Sequence, residues 1–449
     1  MTERTLNAVQ VASMLVSTSC GVGFLLGTGE LALQQGMAAC LYPIATALGL
    51  TALALCSRLL WTSGQSIWAW FDQLYGPSVS QRVALLSLLW MTGVLAAQIR
   101  GGTALLVLTG VPPTTALLAI DATLIGLSIM RLSWLSAGFA ICMLACNATL
   151  VESLINTRGI EVWLHAPLRF VDTLPHLVPV HTVFMMISIV VMVVCGADYQ
   201  QFLIAARTPT TARVGCILAA GIVFVIGFLP ESAVVATAAT GHLGNLGDSA
   251  QVIPVVLIHT LSNFSTSTTR TLVIAMLAST ALGAGCAILR AMSDAIGSLG
   301  RPSIIRPLWS RVLPVIFASL VALRGQSIVE MMVDLNIVYI TAVGALLGLT
   351  LLKVRVSDNG ANSAILAGFC VASVCYLIRW LKIAAIPEAT SLCVGLPLSL
   401  VFALTLRTQA IASPHETSSL PRPTRLDVCP DPQPCAAPLT HFSGDSRSR

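Results

Sequence analysis

The chain is short of charge. Only 10% of its 449 residues are Asp, Glu, Lys or Arg, against roughly 25% in a soluble domain. That deficit excludes an ordinary water-soluble globule. Its 13 cysteines contain no CxxC pair and no Cys/His cluster at metal-ligand spacing, so neither a zinc site nor a thioredoxin-type motif is encoded. Cys142, Cys146, Cys195 and Cys370 lie in apolar runs and read as small hydrophobes. There is no G-x-x-x-x-G-K-[ST] run, hence no phosphate cradle for ATP-driven work. No catalytic His or carboxylate cluster gathers near one membrane face, which argues against a membrane-embedded transferase. The expectation is therefore a non-enzyme without an organic cofactor. Period-two alternation over about 10 residues, the mark of a transmembrane barrel, is also missing. The run after "MTER" is too long for a cleavable h-region of roughly 7–15 residues. The first helix is expected to act as its own uncleaved insertion signal.

What the chain has is apolar length. Hydrophobic residues make up 56% of it and the mean hydropathy is +0.86. About 20 apolar residues cross a bilayer as a helix, and runs of that length recur. They predict an all-α polytopic membrane protein with about twelve spans, near 7–28, 35–57, 83–108, 113–130, 134–155, 180–205, 212–236, 270–296, 306–323, 329–352, 361–381 and 388–407. Two longer polar connections, 156–179 and 237–269, separate some of them. The short amphipathic piece "SIWAWFDQLYG" carries tryptophans suited to a membrane interface. From about residue 408 the chain turns rich in Pro, Ser and charge and is expected to be a disordered cytoplasmic tail. With the N-terminus inside, Arg4, Arg58, Arg82, Arg131, Arg207 and Arg213 fall at cytoplasmic ends with most other basic residues, as positive-inside topology requires. Both termini are then cytoplasmic, in a multi-pass protein of the plasma (inner) membrane.

Three stretches break the apolar pattern. "STSCGVGFLLGTGE" puts Ser17, Thr18, Ser19, Cys20, Gly21 and Gly23 in the middle of the first span. Each Gly costs a helix about 1 kcal/mol relative to Ala. Two readings stand: small residues for close helix packing, with Gly23 and Gly27 at small-xxx-small spacing, or an unwound break lining a site. In the sixth span, Gly196 lies near mid-membrane and is followed by Asp198. An intramembrane carboxylate is a functional-site hypothesis; a cap or an ion pair with Arg207 is the plainer reading. In the eighth, Ser279 and Thr280 are adjacent hydroxyls that either bond back to their own helix or flank a hard cation with oxygen ligands. Arg100 lies inside the third span, where it either meets a substrate anion or pairs with Asp121, a helix end or the interface. Asp294 and Arg290, four apart, suit a mutual pair.

Four stretches resemble the sodium:solute symporters. These are "SMLVSTSCGVGFLLGTGELALQQG", "LAAQIRGGTALLVLTGVPPTTALLA", "CGADYQQFLIAARTPTTARVG" and "VDLNIVYITAVGALLGLTLLKVRVSDNGANSAILAG". The resemblance implies a five-plus-five inverted-repeat core, leucine-transporter-like, with discontinuous helices one and six. Repeats would fall at 7–155 and 180–352, and two extra helices at 361–407, within a transporter domain of 1–407. It implies alternating-access symport of a small solute with Na+, the ion held by the carbonyls of Ser17 and Cys20 and the side chains of Ser279 and Thr280. Substrate would lie against Ser19, Gly23, Gln98 and Gly196. Departures are visible: the chain starts directly at the core helix, and "RLSWLSAGFA" stands where the family's Thr-Asp-x-x-x-Gln is usual. Proton coupling, with Asp198 as relay or gate, is the alternative; a solute sensor that does not transport is another. Expected partners are the solute, Na+ and lipid, with no nucleic acid.

Overall fold

The computed structural model describes residues 4–412 apart from 131, 242, 244–245, 262–265, 300–307, 326, 382 and 385–387. The expected disordered tail lies, from 413 onward, outside the described residues. The helices are α1 (Ala8–Ser19), α2 (Val22–Gln35), α3 (Leu41–Ser63), α4 (Ile67–Tyr75), α5 (Pro77–Val107), α6 (Pro113–Ile129) and α7 (Leu132–Asn156). Next come α8 (Ile160–Leu164), α9 (Ala166–Thr173), α10 (Pro179–Cys195), α11 (Ala197–Ile204), α12 (Pro209–Ile226), α13 (Leu229–Ala239) and α14 (Val252–Thr260). The chain continues with α15 (Thr266–Leu299), α16 (Trp309–Ala322), α17 (Ile328–Tyr339), α18 (Ala345–Leu351), α19 (Asp358–Trp380) and α20 (Glu388–Ala412). A π-helical segment, Ile340–Gly344, joins α17 to α18. Among the described residues, six spans are each long and apolar enough to cross a bilayer, and the bent pair α10–α11 makes a seventh. Shorter apolar helices, among them α1, α6 and α16, accompany them.

Local chemistry sets the ends. Asn7 and Gln10 form a capping box at the start of α1, with N···O distances of 2.8 and 2.9 Å. Pro77, Pro113 and Pro209 open α5, α6 and α12 at positions where the missing N–H costs nothing. Pro77 explains why α5 starts before the expected residue 83. The expected 212–236 span divides at Gly227–Phe228, so α13 is a separate half-helix. In α4 the apolar stripe of Ile67, Trp68, Phe71 and Tyr75 is buried where the helix packs on α5. Trp68 therefore points into the protein rather than to the membrane interface.

The packing has an internal symmetry. Helix α3 lies along α12, and α5 along α15; α1 meets α12 as α10 meets α3; α5 meets α17 as α15 meets α7; α5 meets α6 as α15 meets α16. Exchanging the first five spans with the second five, in order, turns each contact into another on the same roster. That is an internal two-fold repeat in the packing. Around the outside, Leu55, Leu85, Leu118, Ile217, Phe317 and Val374 are exposed. In water such a surface would be an aggregation hazard; in a bilayer it is the lipid-facing belt.

Close packing also explains some glycines. Gly368 of α19 sits directly against the Thr341 carbonyl of the π segment, leaving no room for a Cβ. Gly368→Val is expected to lower stability by about 1–3 kcal/mol through overpacking. A thermal shift assay on detergent-purified protein checks this, and an unchanged midpoint would contradict the contact.

Candidate functional site

The first span is broken. The backbone ladder of α1 ends with Cys20 N–H on Val16 O at 2.7 Å and resumes with Phe24 and Leu25 N–H on Gly21 O at 2.9 and 3.0 Å. Among the described residues no helical donor reaches the carbonyls of Ser17, Thr18, Ser19 or Cys20. Gln98 of α5 enters the gap, where its Oε1 accepts the Gly23 N–H at 3.2 Å. A Cβ on Gly23 would stand 2.8 Å from Gln98 Nε2, and one on Gly21 2.8 Å from Ala284 Cβ of α15. These glycines serve close approach as well as the break, so the two readings of the stretch are not exclusive.

The sixth span is broken too, at Gly196, with a bend of 41° between α10 and α11. Two of its carbonyls, unlike those of the first break, are taken up by side chains. Gln200 Nε2 donates to Val194 O at 2.8 Å and the Tyr339 hydroxyl to Cys195 O at 3.1 Å. The Tyr339 ring stacks on Trp90 of α5 with centroids 5.8 Å apart. Gly196 is held by tight surroundings, since a Cβ there would meet Asp198 Oδ1 at 2.7 Å. The two breaks meet where α1 packs on α11 and the Ser19 and Tyr199 side chains face each other. One break is sealed by its neighbours; the other keeps open acceptors.

The remaining sequence-predicted residues fall as follows. Asp198 is buried, in the first turn of α11, and its Oδ1 has no hydrogen-bond partner among the described residues; it does not pair with Arg207. Ser17 Oγ contacts Met143 Sδ of α7 at 3.8 Å. Ser279 Oγ donates to Ala275 O at 2.7 Å and Thr280 Oγ1 to Met276 O at 3.0 Å, both in their own helix. Thr280 lies one turn from Ala284, the residue that abuts Gly21, and so on the same face. Arg100 pairs with Asp248 at 3.3 Å, not with Asp121, which accepts from Ser319 at 2.7 Å. Arg290 donates to the Met130 carbonyl.

Two carboxylates escaped the sequence reading. Glu30 of α2 is buried and accepts from the Ile328 N–H at 3.2 Å and from the Ser249 hydroxyl. Glu231 of α13 is wholly buried, with neither oxygen bonded among the described residues. The signal that marked Asp198, an acid inside an apolar run, was present at both. Glu30 belongs to a clasp: Asp248, Ser249 and Gln251, on the segment after α13, hold Arg100, Glu30 and Ala104 O respectively. A cavity of about 160 Å³ lies between α2, α10 and α17, with Leu31, Gln34, Tyr42, Thr182 and Val333 in its wall.

The end that carries the N-terminus is latched as well. Leu6 N–H donates to Ala205 O at 3.1 Å and Arg207 N–H to Leu6 O at 3.0 Å. Arg4 lies 3.9 Å over the Trp61 ring and donates to Trp61 O at 3.1 Å, while Trp61 Nε1 donates to Ala206 O at 2.8 Å. Arg4→Ala removes a cation–π contact and a hydrogen bond, about 1–2 kcal/mol together. With Cys20 as the single thiol, its maleimide labelling in membranes is expected to quicken about tenfold in this variant. An unchanged rate would mean that the Leu6 ladder alone closes this end.

No protein-family model matches the chain, and no curated protein matches its sequence. Solved structures match its fold. A substrate-bound, outward-open Na+-coupled sialic acid symporter superposes with a TM-score of 0.70 at 13% identity, covering 90% of this chain and 90% of that one. Inward-facing Mhp1 gives 0.60 at 12% identity, covering 91% and 92%. Mhp1, a nucleobase-cation-symport-1 family transporter, gives 0.56 at 13% in a closed form with bromovinylhydantoin bound, covering 92% and 94%. The class is thus defined by fold: an inverted-repeat, leucine-transporter-like membrane protein with discontinuous first and sixth spans.

Proposed function

We propose that the protein is a secondary active transporter that carries a small polar solute by alternating access with Na+ symport. The observation that carries this reading is the row of carbonyls from Ser17 to Cys20 without helical partners. Backbone of that kind is tolerated at membrane depth only inside protein or beside a wet cavity. Open carbonyls on a half-helix end suit a cation. In this reading the carbonyls of Ser17 and Cys20 bind Na+ with Ser279 and Thr280. The back-bonds of those two hydroxyls are compatible with the role. A hydroxyl that donates to its own helix keeps oxygen lone pairs for an ion. Ser19, Gly23, Gln98 and Gly196 line the solute site, and Asp198 gates it or relays a proton. The repeats at 7–155 and 180–352 move against each other, and the latches at the two ends, Arg4–Trp61 and Glu30–Ser249, open in turn. The protein works in the plasma membrane with both termini cytoplasmic.

The test is uptake into proteoliposomes of radiolabelled amino acids, carboxylates and sugars, with and without a sodium gradient. At least one solute is expected to accumulate only with the gradient. The Ser279→Ala/Thr280→Ala double variant is expected to lose sodium affinity at least tenfold, about 1.4 kcal/mol. Full sodium-stimulated uptake by the double variant would remove the ion site. Accumulation driven by a pH gradient alone would move the coupling to protons and to Asp198.

A further inference from the structure

Glu231 is a buried carboxylate to which the proposed transport site gives no task. It lies in the first turn of α13, which restarts after the Gly227–Phe228 break, and is 0% exposed. Neither carboxylate oxygen has a hydrogen-bond partner among the described residues. Thr28 of α2 faces it, but its hydroxyl is also placed to donate to Leu25 O at 3.5 Å. The elements packed against α13 are α2, the turn at 36–40, α7, α8 and α14. Their titratable groups are Glu30, Cys40, Cys142, Cys146, Glu152, Glu161 and His259, with Cys20 at the nearby break. None of these has a hydrogen bond to Glu231, and none of the elements carries a Lys or Arg.

An isolated buried carboxylate is too costly to keep ionised, and it neutralises by taking up a counter-charge. A sodium ion would need several oxygen ligands. The groups that face it are the Thr28 hydroxyl and the thiols of Cys20 and Cys40. The proton is the cation that needs no ligand shell. We propose that Glu231 is a proton-binding site, separate from the ion site proposed at the first-span break and from Asp198. The proton comes from bulk water and forms an O–H bond on one carboxylate oxygen. It returns to water when the contact between α2 and α13 opens. The acid form is then a condition of the closed arrangement, because a bare charge between α2 and α13 would pull in water and part them.

Infrared difference spectroscopy of the purified full chain in lipid, wild type against Glu231→Gln at neutral pH, tests this directly. The substitution keeps shape and mimics the neutral form. It is expected to abolish one carboxylic-acid C=O band that shifts in D2O, and to leave the carboxylate stretches unchanged. Loss of a carboxylate band instead would overturn the proposal. Should Glu231→Gln not yield folded protein, Glu231→Asp decides: an acid band must move, and if none does the proposal fails. The measurement needs neither solute nor gradient, so it stands or falls separately from sodium-driven uptake.

Discussion

A backbone carbonyl has nowhere to go inside a bilayer. Water is absent, lipid accepts nothing, and each unpaired group costs several kcal/mol. Most of this chain meets that constraint with continuous helices. At the breaks of the first and sixth spans it does not, and the surrounding structure is arranged around them. At the sixth-span break Gln200 and Tyr339 take the carbonyls of Val194 and Cys195. At the first, Gln98 satisfies one N–H and the carbonyls stay open. The asymmetry separates a joint from the break at which the ion site is proposed. One break lets a helix bend, and the other also offers negative ends of peptide dipoles to a cation.

The same constraint accounts for the two latches. In the proposed transport cycle, a cavity that holds an ion must be closed to bulk water at one end or the other. Here each end carries a few polar contacts. At one end are Arg4, Trp61 and the Leu6 ladder; at the other are Arg100, Glu30 and the segment from Asp248 to Gln251. Individual contacts of this kind contribute about 1 kcal/mol. An arrangement held by a handful of them can be exchanged for its alternative by a ligand of modest differential affinity. The pair Arg379–Asp334, at 2.5 Å and largely buried, is different in kind, since breaking it would leave a charge stranded.

Much of the architecture was legible because hydropathy and membrane thickness are linked by a fixed rise per residue. The expected spans match the helices to within a few residues except at Pro77 and Gly227, where turn chemistry intervenes, and in the first two spans, where α2 runs on to Gln35 and α3 occupies Leu41–Ser63 rather than 35–57. The break in the first span was readable as one of two alternatives from the Ser, Cys and Gly run. Burial was less readable. Trp68 has an interfacial residue's composition and a core residue's position, because α4 happens to lie on α5. Arg100 had Asp121 as its nearest candidate in sequence, yet its partner lies on a segment almost 150 residues away.

What the sequence by itself determined is the class of structure. The lack of charge and the recurrence of 20-residue apolar runs leave a helical membrane protein as the only way to pair every backbone group. Its interruptions at Gly21 and Gly196 mark where that pairing fails. What only the tertiary structure decided is which groups answer each failure. Whether a carbonyl is sealed by Gln200 or left open, and whether a carboxylate such as Glu30 is bonded while Glu231 is bare, depends on atoms brought in from distant helices. Local periodicity cannot encode those partners, because a side chain's register fixes the face it occupies and not the neighbour it will meet there.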